Sequence, residues 1–329
     1  MTSDVPETLE SIHTWTHFYS LALAVFSTPI FAAFTWLLIF KTPKSMFHYR
    51  NLLLVSFLWM LLAILIFFIW QPNVMSYPAL CLHLPKLWAD LAITAYTSVI
   101  LHNTLIVLHL YHLISVDFSL VFMFYRIAQP QWLDWVTPGH VVLASLPLYS
   151  VPLGYILYQY ETDHLLDPRH VQFYEEKFPE IQNYIQIHRS TLVCRNPHIS
   201  SNAFSILFFL VCILFLFGLV VVILSFYTIS RRSTSAICPR TKSLYKSLIV
   251  AECTQLFYPF FQVLLVLVIP SLIPILIPTE AYCSEIIVLL LGFTNIPITC
   301  ANTILVIPVY RKALFGLFSC RKGVVYVNS

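Results

Sequence analysis

The chain has 329 residues, of which 59% are hydrophobic and 10% charged, with a formal net charge of +3. Soluble domains carry roughly 45–50% apolar and about 25% charged residues, so a water-soluble globule is excluded. An aromatic content of 16% excludes a disordered chain, and basic residues confined to short patches beside apolar runs exclude a nucleic-acid partner.

A helix that crosses a bilayer needs about 20 mainly apolar residues, because hydrocarbon offers no water to free backbone groups. Seven segments qualify, at about 17–40, 51–71, 88–113, 138–160, 204–229, 247–270 and 283–309. The predicted fold class is therefore an all-α membrane protein, a seven-transmembrane helix bundle. Residues 1–16 (MTSDVPETLESIHTWT) lack a basic n-region and an apolar h-region, so the first span is expected to act as its own insertion signal. That leaves 1–16 as an N-terminal tail and 310–329 as a C-terminal one.

The connections assign the sides. With the N-terminus outside, the inner segments hold Lys41, Lys44, Arg50, Arg126, Arg231, Arg232, Arg240, Lys242, Lys246, Arg311, Lys312, Arg321 and Lys322, thirteen of the 18 Lys and Arg residues. The outer segments hold most of the acids. An excess of Lys and Arg on cytoplasmic loops then favours N-out and C-in. The first inner loop, KTPKSMFHYR (41–50), orients the first two helices, and Pro43 ends the first one because X-Pro disfavours continued helix. Residues 161–203 form the one long outer loop, acidic and with three prolines, a candidate lid or binding loop by its length. The inner loop RRSTSAICPRTK (231–242) is basic and turn-prone at Pro239.

Of eight cysteines, Cys81, Cys194 and Cys283 fall on the predicted outside, where disulfides persist. A Cys81–Cys194 bridge would pin the long loop across the bundle; a bridge to Cys283, or unpaired thiols, are the alternatives. Cys320, in FSCRKG beside Arg321 and Lys322, is a candidate palmitoylation site, or else a free juxtamembrane thiol.

Ionisable groups inside a bilayer are costly, which makes each one a functional candidate. Asp90 and Glu285 sit near the outer ends of helices three and seven, placed either to line a wet mouth or to snorkel into the interface. Glu252, near the inner end of helix six, suits a local polar contact that changes when the helix moves. His102, His109 and His112 share helix three, but helices five to seven contain no histidine, so a three-ligand zinc site of the hydrolase type has no basis. Histidines bonded within the bundle are the simpler reading. There is no GxSxG, CxxC, Walker loop or GxGxxG, so neither an enzyme nor a bound cofactor is expected. Pro259, Pro297 and Pro308 each remove a helical hydrogen bond and mark a kink or hinge.

Three patches, FKTPKSM (40–46), TKSLYKSLIVAECTQLFYP (241–259) and PVYRKALFG (308–316), resemble the nematode serpentine chemoreceptors of the Srh class, with the Sri and Str classes as relatives. The resemblance implies G-protein-coupled-receptor-like signalling from the plasma membrane or cilium of sensory neurons, with small chemical cues as ligands. It also implies a heterotrimeric G protein as partner, meeting Arg231, Arg232, Arg240, Lys242, Lys246, Tyr310, Arg311 and Lys312. The ligand is expected among helices three, five, six and seven, near Asp90, Tyr96, Tyr258, Glu285 and Asn295. Two departures stand out. Helix three offers LYHLISVD (110–117) where related receptors end in an acid or amide beside arginine, and the NPxxY of rhodopsin-like receptors is reduced to IPVY, Ile307 to Tyr310. The usual acid–arginine lock therefore does not carry over. A membrane transporter or ligand-gated channel is the alternative, but it would call for an internal repeat, and none emerges.

Overall fold

The computed structural model describes residues 4–70, 73–75, 81–83, 95–128, 138–163, 168–177, 179, 182–188, 192–194, 200–231, 239–276 and 283–318. The helices are α1 (Asp4–Phe40), α2 (Phe47–Trp70), α3 (Ala95–Ala128), α4 (Pro138–Asp163), α5 (Pro168–Lys177), α6 (Gln182–His188), α7 (Ser200–Arg231), α8 (Pro239–Leu276), α9 (Cys283–Val306) and α10 (Pro308–Phe318). Three short strands, β1 (Asn73–Met75), β2 (Cys81–His83) and β3 (Leu192–Cys194), form one antiparallel sheet in that order. Among the described residues four helices are long and apolar enough to cross a membrane, or five if the bent pair α9–α10 counts as one span.

Several boundaries differ from the sequence expectation, each for a local reason. The N-terminal tail is helical from Asp4, with Pro6 at a position that a first helical turn tolerates. Helix three runs to Ala128 rather than ending at 113. Ser115 and Asp117 look like a helix end in sequence, yet both are buried between neighbouring helices. Helix six begins at Pro239, a residue suited to the first helical position, rather than at 247. The seventh helix does not run on to 309. It breaks at Ile307 and turns by 92° into α10, so the expected tail from 310 is helical to Phe318. Pro308 forces the break by clashing with the preceding turn, and it then opens the new helix. The long connection 161–203 contains α5, α6 and β3, and β3 completes a sheet with the hairpin between α2 and α3.

α3 is the hub. It packs against α2, α4, α7 and α8, while α9 packs against α1 and α8. The core therefore follows α3: Val116, Leu120, Met123 and Ile127 join Phe34 and Leu38 of α1, Leu53 and Phe57 of α2, Val222 of α7, Ile249 and Leu256 of α8, and Ile304 of α9. Outward faces are apolar instead. On α7, Phe209, Ile213, Leu216, Phe217, Val220, Ile223, Leu224 and Tyr227 are all exposed, a stripe too large for water and suited to lipid. Two T-shaped contacts, Phe31–Phe57 at 5.5 Å and Phe34–Phe57 at 5.1 Å, seat α1 on α2.

α7 approaches α3 and α8 closely at Gly218. A Cβ there would overlap Asp117 Oδ1 of α3 and lie 2.7 Å from Leu256 Cδ2 of α8. Gly218→Ala is accordingly expected to overpack this three-helix junction and cost about 1–3 kcal/mol. The check is thermal unfolding of the purified protein in detergent; an unchanged midpoint would show that the junction has slack.

Candidate functional site

The antiparallel helices bring the last turns of α1, α3, α7 and α9 and the first turns of α2 and α8 to one end of the bundle. The three patches that carry the family resemblance meet there. After α1, Pro43 adopts φ −59° and ψ 150°, and a 3-10 turn (Lys44–Met46) leads into α2. Met46 and Tyr49 are buried by that turn, and Tyr310 of α10 is fully buried against it.

Hydroxyl chemistry fixes the contacts. Thr42 Oγ1 donates its one proton to the Leu38 carbonyl at 2.7 Å, so Tyr310 Oη donates to Thr42 at 2.9 Å. This bond ties the first patch to the third, and it engages the tyrosine of the reduced IPVY motif. Tyr49 Oη lies against Glu252 of the middle patch and interacts with it and with Tyr310 electrostatically, although the geometry closes no hydrogen bond to Glu252. Arg50 lies 4.3 Å above the Phe47 ring and donates to Asn51 Oδ1 at 3.4 Å; it also acts electrostatically on Tyr310.

The same hydroxyl logic stitches the helices above this end. Thr303 Oγ1 donates to Thr299 C=O at 2.9 Å and accepts from Gln255 Nε2 at 3.3 Å; Thr254 Oγ1 donates to Ala251 C=O at 2.6 Å and accepts from Asn302 Nδ2 at 2.6 Å. These two bonds hold α8 to α9. Ser115 Oγ donates to Tyr111 C=O at 2.8 Å and accepts from Tyr149 Oη at 2.7 Å, joining α3 to α4. Tyr111, Tyr149 and Trp59 pack edge to face around it. Ser56 Oγ meets His112 Nδ1 at 2.8 Å between α2 and α3, and His109 Nδ1 donates to Leu105 C=O at 2.8 Å. Both histidines are thus engaged within the bundle.

The residues predicted from sequence fare differently. Lys246, Arg311 and Lys312 are exposed, Lys242 is half-buried, and Arg231 is exposed 5.8 Å from the Tyr227 ring centre. They lie at the same end as Thr42 and Tyr49, so the basic surface surrounds the buried cluster. Arg240 falls in the first turn of α8, whereas Arg232 and Cys320 lie outside the described residues. Of the ligand candidates, Asp90 lies outside the described residues; Tyr96 is on α3 and Glu285 and Asn295 are on α9, with side chains outside the description. Tyr258 is 39% exposed on α8. An open apolar groove of about 480 Å³, lined by residues such as Phe31, Trp36, Phe40 and Leu61, lies between α1 and α2. Cys194 is disulfide-bonded and 1% exposed, and the β2–β3 register sets Cys81 directly opposite it.

Sequence reasoning missed Thr42, Tyr49, Asp117 and Gly218 as members of this site. For Thr42 and Tyr49 a signal existed: both fall within the charged decapeptide 41–50, whose uncharged members sit at helix ends. Asp117 was hidden by the early end assigned to helix three.

A bundle of long apolar helices with a buried polar cluster at its basic end defines a multi-pass integral membrane protein. The chain belongs to the serpentine-type 7TM GPCR chemoreceptor family Srh, whose family model matches residues 13–320. That is a family of receptors, not of enzymes. No curated protein and no solved structure matches the chain.

Tyr310→Phe removes the hydroxyl that donates to Thr42 and is expected to cost about 0.5–1.5 kcal/mol, the net value of one hydrogen bond. Thr42→Val in the same background should then add little. A double-mutant cycle on thermal stability reads the coupling, and additive losses would show that the two hydroxyls do not interact.

Proposed function

We propose that this receptor detects a small environmental or pheromone-like molecule and signals to a heterotrimeric G protein from the plasma membrane of a sensory neuron. Membership of the chemoreceptor family is the observation that carries this reading. The N-terminus lies outside and the basic end of the bundle faces the cytoplasm, in keeping with the distribution of Lys and Arg. The ligand enters below the 161–203 segment and contacts Asp90, Tyr96, Tyr258, Glu285 and Asn295. A Cys81–Cys194 bridge anchors that segment. Support for the bridge comes from the strand register, since directly opposed residues of an antiparallel pair have Cα atoms about 4.5–5.5 Å apart, within disulfide reach.

At the other end, Arg231, Arg232, Arg240, Lys242, Lys246, Tyr310, Arg311 and Lys312 face the G protein. A ligand shifts a conformational equilibrium only by its differential affinity for the two states. The states proposed here differ in the position of α8, which pivots near Pro259. In the resting state Tyr49–Glu252 and Gln255–Thr303 hold α8 against α2 and α9, in place of an acid–arginine lock. Cys320, when palmitoylated, adds a lipid anchor just beyond α10.

Expression in a heterologous cell with a panel of volatile and secreted small molecules tests the reading. A ligand-evoked calcium or cyclic-nucleotide response is expected, and Arg311→Ala with Lys312→Ala should weaken it several-fold while ligand binding is retained. Ligand-gated current or solute uptake that persists without any G protein would overturn it in favour of a channel or transporter. An epitope after residue 318 should be inaccessible on intact cells, and one at the N-terminus accessible.

A further inference from the structure

Two buried acids near the basic end of the bundle have no counter-charge among the described residues. Asp117 on α3 is 4% exposed and Glu252 on α8 is 0% exposed, and none of their four carboxylate oxygens has a hydrogen-bond partner among the described residues. The titratable groups that act on Glu252 are Tyr49 and Asp117, and Glu252 in turn acts on Cys253; no Lys, Arg or His is among them. Tyr49 is buried, its Oη closes no hydrogen bond among the described residues, and it lies against Glu252 from the α2 side.

The backbone is shaped to bring these groups together. The missing side chain of Gly218 leaves room for the Asp117 carboxylate beside Leu256, and Leu256 is one turn beyond Glu252 on the same face of α8. Asp117 therefore points into the α7–α8 junction toward the turn that carries Glu252.

An isolated carboxylate in a core of this kind is too costly to persist, so the pair has to be neutralised. Protons alone do it poorly. A neutral carboxyl group carries an O–H that needs an acceptor, and neither acid makes a hydrogen bond among the described residues. A cation instead takes carboxylate oxygens as ligands and leaves one proton to place rather than two. The donor set is oxygen only, which suits a hard ion and not a thiolate- or imidazole-seeking transition metal. Two carboxylates and one hydroxyl offer at most five oxygens, short of the six to eight that calcium takes.

We propose that Asp117, Glu252 and Tyr49 form a binding site for a small monovalent cation of the sodium type, bridging α2, α3 and α8. One such ion and one proton bring the acid pair to neutrality. The bound ion holds α8 against α3, so it stabilises the state in which the helices are closed at this end.

Full-length receptor in lipid nanodiscs provides the test. Thermal unfolding is followed while NaCl replaces choline chloride at constant ionic strength, with KCl in parallel, and radiosodium binding is measured directly. The expected result is a saturable rise in midpoint with sodium, smaller with potassium, together with saturable radiosodium binding. Asp117→Asn and Glu252→Gln each abolish both signals. Tyr49→Phe, which removes a single hydroxyl, keeps the protein folded and moves half-saturation to higher sodium. A wild-type midpoint independent of sodium, or sodium dependence that survives in both acid variants, overturns the site. A midpoint that responds to pH and not to sodium also overturns it, by assigning a proton to each acid.

Discussion

Hydrocarbon has no hydrogen bonds to offer, and the arrangement of this bundle follows from how its polar groups cope with that. Backbone groups are satisfied inside helices. Hydroxyl side chains repeat the solution on a smaller scale: Thr28, Thr104, Ser225 and Thr228 each donate to the carbonyl one turn back in their own helix. A hydroxyl that donates locally still has lone pairs. Thr42, Ser115, Thr254 and Thr303 use theirs to accept a bond from Tyr310, Tyr149, Asn302 and Gln255 on another element. Such bonds are worth about 0.6 kcal/mol on average between membrane helices, so they select one register among well-packed alternatives rather than drive association.

Packing of the hub helix explains why the polar cluster sits where it does. α3 is enclosed by α2, α4, α7 and α8, and only an enclosed helix can bring an acid such as Asp117 into the core away from lipid. Gly218 makes the approach of α7 possible there, because any side chain would collide with that acid. Around this junction, Tyr49, Glu252, Gln255 and Thr303 place polar groups from α2, α8 and α9 within one layer at the basic end.

How much of this was legible beforehand differs by element. The spans are visible as apolar runs because burial in lipid demands length and hydrophobicity from each helix on its own. The 41–50 turn is visible through Pro43 and its charges. The extension of helix three past 113 is not, because Ser115 and Asp117 read as a polar helix end unless their partners on α4, α7 and α8 are known. The 92° turn at Ile307 lies between these cases: Pro308 marks a break in the helix, but the direction of the next one depends on Tyr310 finding Thr42.

The amino-acid sequence by itself determined the membrane class, the number of apolar segments, the bias of positive charge and three short patches typical of the Srh family. All of these are local properties, written in runs of neighbouring residues. Only the tertiary structure decided that those patches meet, with Thr42 bonded to Tyr310 and Tyr49 against Glu252, and that Asp117 lies buried beside Gly218. The reason is physical: a contact between residues as far apart as 42 and 310 depends on how several helix faces share one core, and no window of sequence contains that information.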